Sequence, residues 1–142
     1  MQAHQADPRL GVWKLNLEKS RYGSRPQPKS VTVTWAPQED GKIKYTARGV
    51  DPMGQPTHVE FSAKFDGADY AVTGSPLLDT VAVKRIDALT SEATGKKEGK
   101  VILTTKGVIS EDGKTETTVW TGTDEKGQPQ SGRPSWTSNE VR

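Results

Sequence analysis

The sequence predicts an all-β chain, an antiparallel up-and-down meander barrel of eight to ten strands. Three observations carry that expectation: short runs of alternating apolar and polar residues, glycine-bearing turn signals between them, and no sustained 3.6-residue period. At 142 residues the length suits one domain. The expected organisation is a tail over residues 1–8 followed by a single barrel domain over residues 9–142.

The strands follow in order. Gly11-Val12-Trp13-Lys14-Leu15 opens the meander. Val31, Val33 and Trp35 alternate with Thr32 and Thr34, and Ile43, Tyr45 and Ala47 with Lys44, Thr46 and Arg48. Val59, Phe61, Ala63 and Phe65 then alternate with His58, Glu60, Ser62 and Lys64. Val81 and Val83, the run 101–109 and the run 115–121 extend the pattern toward the C-terminus. In a strand, alternate side chains face opposite sides, so each run reads as half-buried. Between them stand Glu39-Asp40-Gly41-Lys42, Met53-Gly54-Gln55-Pro56, Asp66-Gly67, Lys97-Glu98-Gly99-Lys100, Asp112-Gly113 and Lys126-Gly127-Gln128-Pro129. Glycine accepts positive φ and aspartate tolerates it, so these are hairpin turns, and closing the meander removes its exposed edges. Leu17 to Tyr22 leaves room for one helical turn before Pro26 and Pro28. A two-sheet sandwich is the alternative architecture.

An internal echo runs through the chain. Glu39-Asp40-Gly41-Lys42 returns as Glu111-Asp112-Gly113-Lys114, and Gly49 to Pro56 returns as Gly122 to Pro129 with one extra residue between the two turns. Two readings stand side by side: a duplicated three-strand unit with a β-bulge in its later copy, or repeated use of the same turn chemistry.

Composition excludes several functions. The 20 Lys and Arg nearly balance 18 Asp and Glu, without a run of like charge, so no nucleic-acid partner is expected. No stretch approaches the roughly 18 apolar residues of a membrane-spanning helix, and membrane insertion is not expected. The chain is 31% apolar, which implies a thin core or a partly polar interior. It has no cysteine and two histidines, His4 and His58, so no metal site or cofactor is expected. A copper chelate of His4 with His58 is the one exception, and it requires processing that leaves His4 first. Ala3 and Ala6 in the polar N-terminal segment match residues that flank a signal-peptidase cut, which points to a periplasmic or secreted protein.

The Gly11-Val12-Trp13 opening resembles the calycins, the lipocalins and fatty-acid-binding proteins. The resemblance implies that Trp13 plugs one end of the barrel beneath a late arginine, Arg133 or Arg142. With Asp66-Gly67 and Lys84-Arg85-Ile86-Asp87, the segment Gly11 to Ser20 also resembles small exported bacterial proteins of unassigned function. The departures are equally definite. The final Trp136-Thr137-Ser138 lacks the Arg-x-Tyr carboxylate clamp of fatty-acid-binding proteins, and residues 18–29 are too short for their two-helix lid. An open-mouthed, lipocalin-like barrel fits better.

Familiar catalytic motifs are missing: there is no nucleophile elbow, P-loop or dinucleotide fingerprint. The leading expectation is noncatalytic binding of a small, partly apolar molecule by Trp35, Tyr45, Phe61 and Trp120, with Arg48 near the mouth. The alternatives are a cofactor-independent isomerase, lyase or hydratase using His58, Glu60 and Tyr45 as acid and base, and an exported protein-binding or inhibitor module. His58 and Glu60 share one strand face, which serves equally as a solvated surface. Gly74 to Asp79 reads either as a cap on a ligand mouth or as a packed connection.

Overall fold

A computed structural model describes residues 8–21, 27–75, 77–123 and 126–138. Its strands are β1 (Gly11–Leu15), β2 (Ser30–Pro37), β3 (Ile43–Val50), β4 (Pro56–Ala63), β5 (Asp66–Ala71), β6 (Thr80–Arg85), β7 (Thr90–Lys97), β8 (Lys100–Ile109), β9 (Thr115–Thr123), β10 (Pro129–Gly132) and β11 (Ser135–Ser138). Every pairing is antiparallel, in the order β4-β3-β2-β1-β11-β9-β8-β7-β6-β5, with β10 also on β9. β10 and β11 take consecutive stretches of the same β9 edge and are separated at Arg133-Pro134, so they act as one broken strand. A proline cannot donate to a ladder, which accounts for the break. The result is the up-and-down barrel the alternation predicts.

The barrel is nearly closed. β4 and the chain just after β5, at the two ends of the strand order, meet among the described residues through one bridge, in which Glu60 and Thr73 exchange backbone hydrogen bonds of 2.9 Å each. Sequence reading placed a tight hairpin turn at Asp66-Gly67. Instead Asp66 already belongs to β5, paired with Lys84, and its carboxylate accepts from the Ala68 amide and the Tyr70 hydroxyl. The two strands therefore splay apart around Lys64 and Phe65 rather than zipping together.

Other turns follow their chemistry. Glu98 and Gly99 both have positive φ, the conformation a two-residue hairpin needs to match strand twist. In the turn after β3, Asp51 Oδ1 accepts from the Met53 and Gln55 amides. Residues 17–19 form a turn and not a helical one; the one helical segment among the described residues is the 3-10 turn Glu39–Gly41. The echo aligns β2-β3-β4 with β8-β9-β10, but its turns differ: Asp40 and Gly41 both take positive φ, whereas Gly113 does so without Asp112. The expected bulge in the later copy is not in β9, whose ladders to β8, β10 and β11 are regular. The extra residue lengthens the strand to nine, and the nearby register shift lies between β7 and β8.

Two clusters form the core: Trp13, Val33 and Ile109, and Ala63, Val81 and Val83. Trp13 is 2% exposed, and its indole N–H donates to the Arg9 carbonyl at 3.0 Å. Trp13 is thus a core residue of the barrel, packed with Val33 and Ile109. Of the tail over residues 1–8 only Pro8 is described; His4, Pro26 and Arg142 lie outside the described residues.

Candidate functional site: an internal cavity

The barrel is not filled by its own side chains. A cavity of about 380 Å³, partly open to solvent, lies inside it, and both core clusters contribute to its wall. Register explains how the wall is built. On β2, β3 and β4 the pairs Trp35 with Tyr45 and Tyr45 with Phe61 lie directly opposite, so three aromatics share the inner face. Tyr45 and Phe61 stack at 4.7 Å between ring centroids, and Trp35 meets Tyr45 edge-on at 4.8 Å. Phe65, from the splayed β4–β5 corner, joins at 6.0 Å from Trp35.

The opposite wall grades from polar to apolar. Ser91, Gly107 and Thr118 form one rung across β7, β8 and β9; Ala93, Thr105 and Trp120 form the next, and Gly95, Leu103 and Gly122 the third. Leu78, from the β5–β6 connection, lies over Gly95, where a Cβ would collide with it. Asp79 ties the connection to the end of β7 and its turn: Asp79 N donates to Lys96 O, and Asp79 Oδ2 accepts from Glu98 N. That second bond is the main reason the Asp79 carboxyl sits below its usual pKa. Within Gly74 to Asp79, Asp79 thus makes a packed connection and Leu78 is part of the cavity wall, while Pro76 lies outside the described residues.

Below the polar rung lies a buried ion pair. Arg9 NH1 donates to Glu116 Oε2; the residues are 4% and 6% exposed, and Arg9 also lies over the Trp35 ring, 5.6 Å from its centroid. Gly107 makes room for the carboxylate, since a Cβ there would collide with Oε2. Burial first, and the Glu116 charge second, push the Tyr45 phenol up to about 12. It stays protonated.

The residues named from sequence divide cleanly. Trp35, Tyr45, Phe61 and Trp120 line the cavity. Arg48 does not: it alternates outward on β3, opposite Thr32 and His58, and is exposed. His58 and Glu60 are 3.1 Å apart on the outer face of β4, with the His58 side chain 48% exposed, while Tyr45 is inside. The three candidate acid–base residues do not converge. Arg133 is exposed and bridges Arg21 through the backbone, and among the described residues the arginine bonded to Trp13, through its carbonyl, is Arg9; Arg142 lies outside them. Among the described residues no cluster of three metal-ligating side chains exists, and no helix is long and apolar enough to cross a membrane.

The solved structures sharing this architecture include the tryptamine complex of the amine-binding protein of Rhodnius prolixus (TM-score 0.52, 13% identity, covering 98% of this chain and 68% of that one). A biogenic amine-binding protein gives 0.51 and 14%, over 98% and 69% of the two chains. The fold is calycin-like. A more distant alignment, to the siderocalin Ex-FABP, has a TM-score of 0.42 at 11% identity over 95% and 77% of the chains. No protein-family model and no curated protein sequence matches the chain.

Proposed function

We propose that the calycin-like barrel binds a small, partly apolar molecule in its interior without transforming it, with Trp35, Tyr45, Phe61 and Trp120 as contact residues. The cavity carries this reading: about 380 Å³ falls within the roughly 300–1,000 Å³ of small-molecule sites, whereas a side-chain-filled barrel would leave no such space. The wall is largely apolar with a few polar groups gathered at one level, the composition such sites share. Solved proteins of similar fold are described as amine-binding, which is consistent with use of this barrel for small molecules. The cation associated with the site is Arg9 in place of Arg48. The same reading includes one barrel domain over residues 9–142 and a periplasmic or secreted setting, for which the alanine-bearing N-terminal segment is the support.

A tryptophan-fluorescence screen of apolar and amphipathic metabolites tests it. The expected result is a saturable change that Trp35→Phe or Trp120→Phe alters, because both indoles line the cavity. A response from no compound in the screen, or one indifferent to both substitutions, contradicts the proposal.

A further inference from the structure

The cavity's polar end carries a charge balance that bears on the ligand's head group. Glu116 and Arg9 are both more than nine-tenths buried and neutralise each other. Arg9 occupies Glu116 Oε2, and among the described residues Oε1 has no hydrogen-bond partner. The same holds for the hydroxyls of Tyr45, Ser91 and Thr118, all of which line the cavity. The remaining charged lining residue, Glu92, is exposed and stands between Lys84 and Lys106 on the neighbouring strands.

A ligand ammonium or carboxylate brought to this end would be a third charge beside an already neutral pair. Its desolvation would go uncompensated unless the pair itself came apart, and a buried charge without a partner is strongly unfavourable. A neutral O–H or N–H adds no charge and can donate to the cavity-facing carboxylate oxygen as the ligand displaces solvent from it; an acceptor covered by a ligand and left unpaired is costly. Tyr45, held protonated by burial and by the Glu116 charge, donates or accepts beside it without ionising. The opposite end, at Val72, Leu78, Val81 and Leu103, is apolar throughout.

We propose that the Glu116–Tyr45 end of the cavity is a head-group subsite for an uncharged hydrogen-bond donor, a hydroxyl, amide or ring N–H, on an otherwise apolar ligand whose tail lies toward Leu78. This rests on the carrier reading above and narrows its substrate class.

The test is a series sharing one tail: butylbenzene, 4-phenylbutan-1-ol, 4-phenylbutylamine and 4-phenylbutyrate, titrated calorimetrically into the intact chain at pH 7. The alcohol is expected to bind about tenfold tighter than either charged compound, the scale of one buried hydrogen bond left unmade. Tyr45→Phe should weaken the alcohol toward the butylbenzene level while leaving butylbenzene unchanged. Equal or tighter binding of the amine or carboxylate, with butylbenzene still bound, overturns the subsite and leaves the carrier reading standing. Failure of all four to bind overturns both.

Discussion

Arg9 sits outside every strand, yet it is more deeply buried than most of the apolar residues, and Glu116 is the reason. Removing one member of a buried pair leaves the other's charge unpaired, so Arg9→Met is expected to lower stability by about 3–5 kcal/mol in urea unfolding. Arg9→Met combined with Glu116→Leu should recover most of that loss, because apolar replacement of a whole pair is close to neutral. A double variant no better than Arg9→Met would show that Arg9 acts through packing on Trp35 and not through its charge. Tyr45 provides a second check at this scale. Its phenol is raised to about 12 from 10.0, so between these values the folded chain holds a proton that the unfolded chain has lost. Stability present below pH 10 should therefore fall as pH rises through 12, by roughly 2–3 kcal/mol from this group. Tyr45→Phe should remove that share of the alkaline loss; an unchanged profile would contradict the burial. Neither Glu116 nor Arg9 was named from the sequence; Glu116 could have been found, since it shares the inward parity of Trp120, but Arg9 could not. Outside a periodic segment, nothing in the pattern says which way a side chain faces.

Among the elements, those that carry a clear local pattern were read and the others were not. Alternation located β1, β2, β3, β4, β6, β8 and β9, and glycine with its acidic neighbours located most of the turns, because both depend on a few adjacent residues; the more polar β5, β7, β10 and β11 lack that alternation and went unread. The β4–β5 seam depends instead on how far the barrel must open to close, which no local motif records. Asp66-Gly67 has good hairpin chemistry, but the Asp66 side chain serves Ala68 and Tyr70 while the strands part beside it. With one bridge holding the seam, native-state hydrogen exchange should find the Glu60 and Thr73 amides opening well before those of the continuous β2–β3 ladder. Equal protection in the two places would mean that the seam is paired more extensively.

For the molecule as a whole, the fold follows from the meander pattern and the G-x-W opening, while the cavity does not. The radius of a barrel is set by strand number and stagger, and whether side chains fill it depends on which inward residues are small. Ser91 and Ala93 fall on the inner face of β7, facing the aromatics of β2, β3 and β4, and leave volume that the aromatics do not reach, while the room at Gly95 and Gly107 is taken by Leu78 and the Glu116 carboxylate. Composition suggested a thin core or a partly polar interior; the wall is instead largely apolar with its polar groups gathered at one end, and composition said nothing of its emptiness. The account's central claim is that this interior admits a ligand. It is tested most directly by titrating N-phenyl-1-naphthylamine, an uncharged fluorophore that brightens in apolar surroundings, into the native chain and into Ala93→Phe, which fills the middle rung of the cavity. The account predicts saturable binding of one fluorophore per chain and its loss in Ala93→Phe at unchanged far-ultraviolet circular dichroism. No enhancement in the native chain, or full enhancement in the variant, would contradict it.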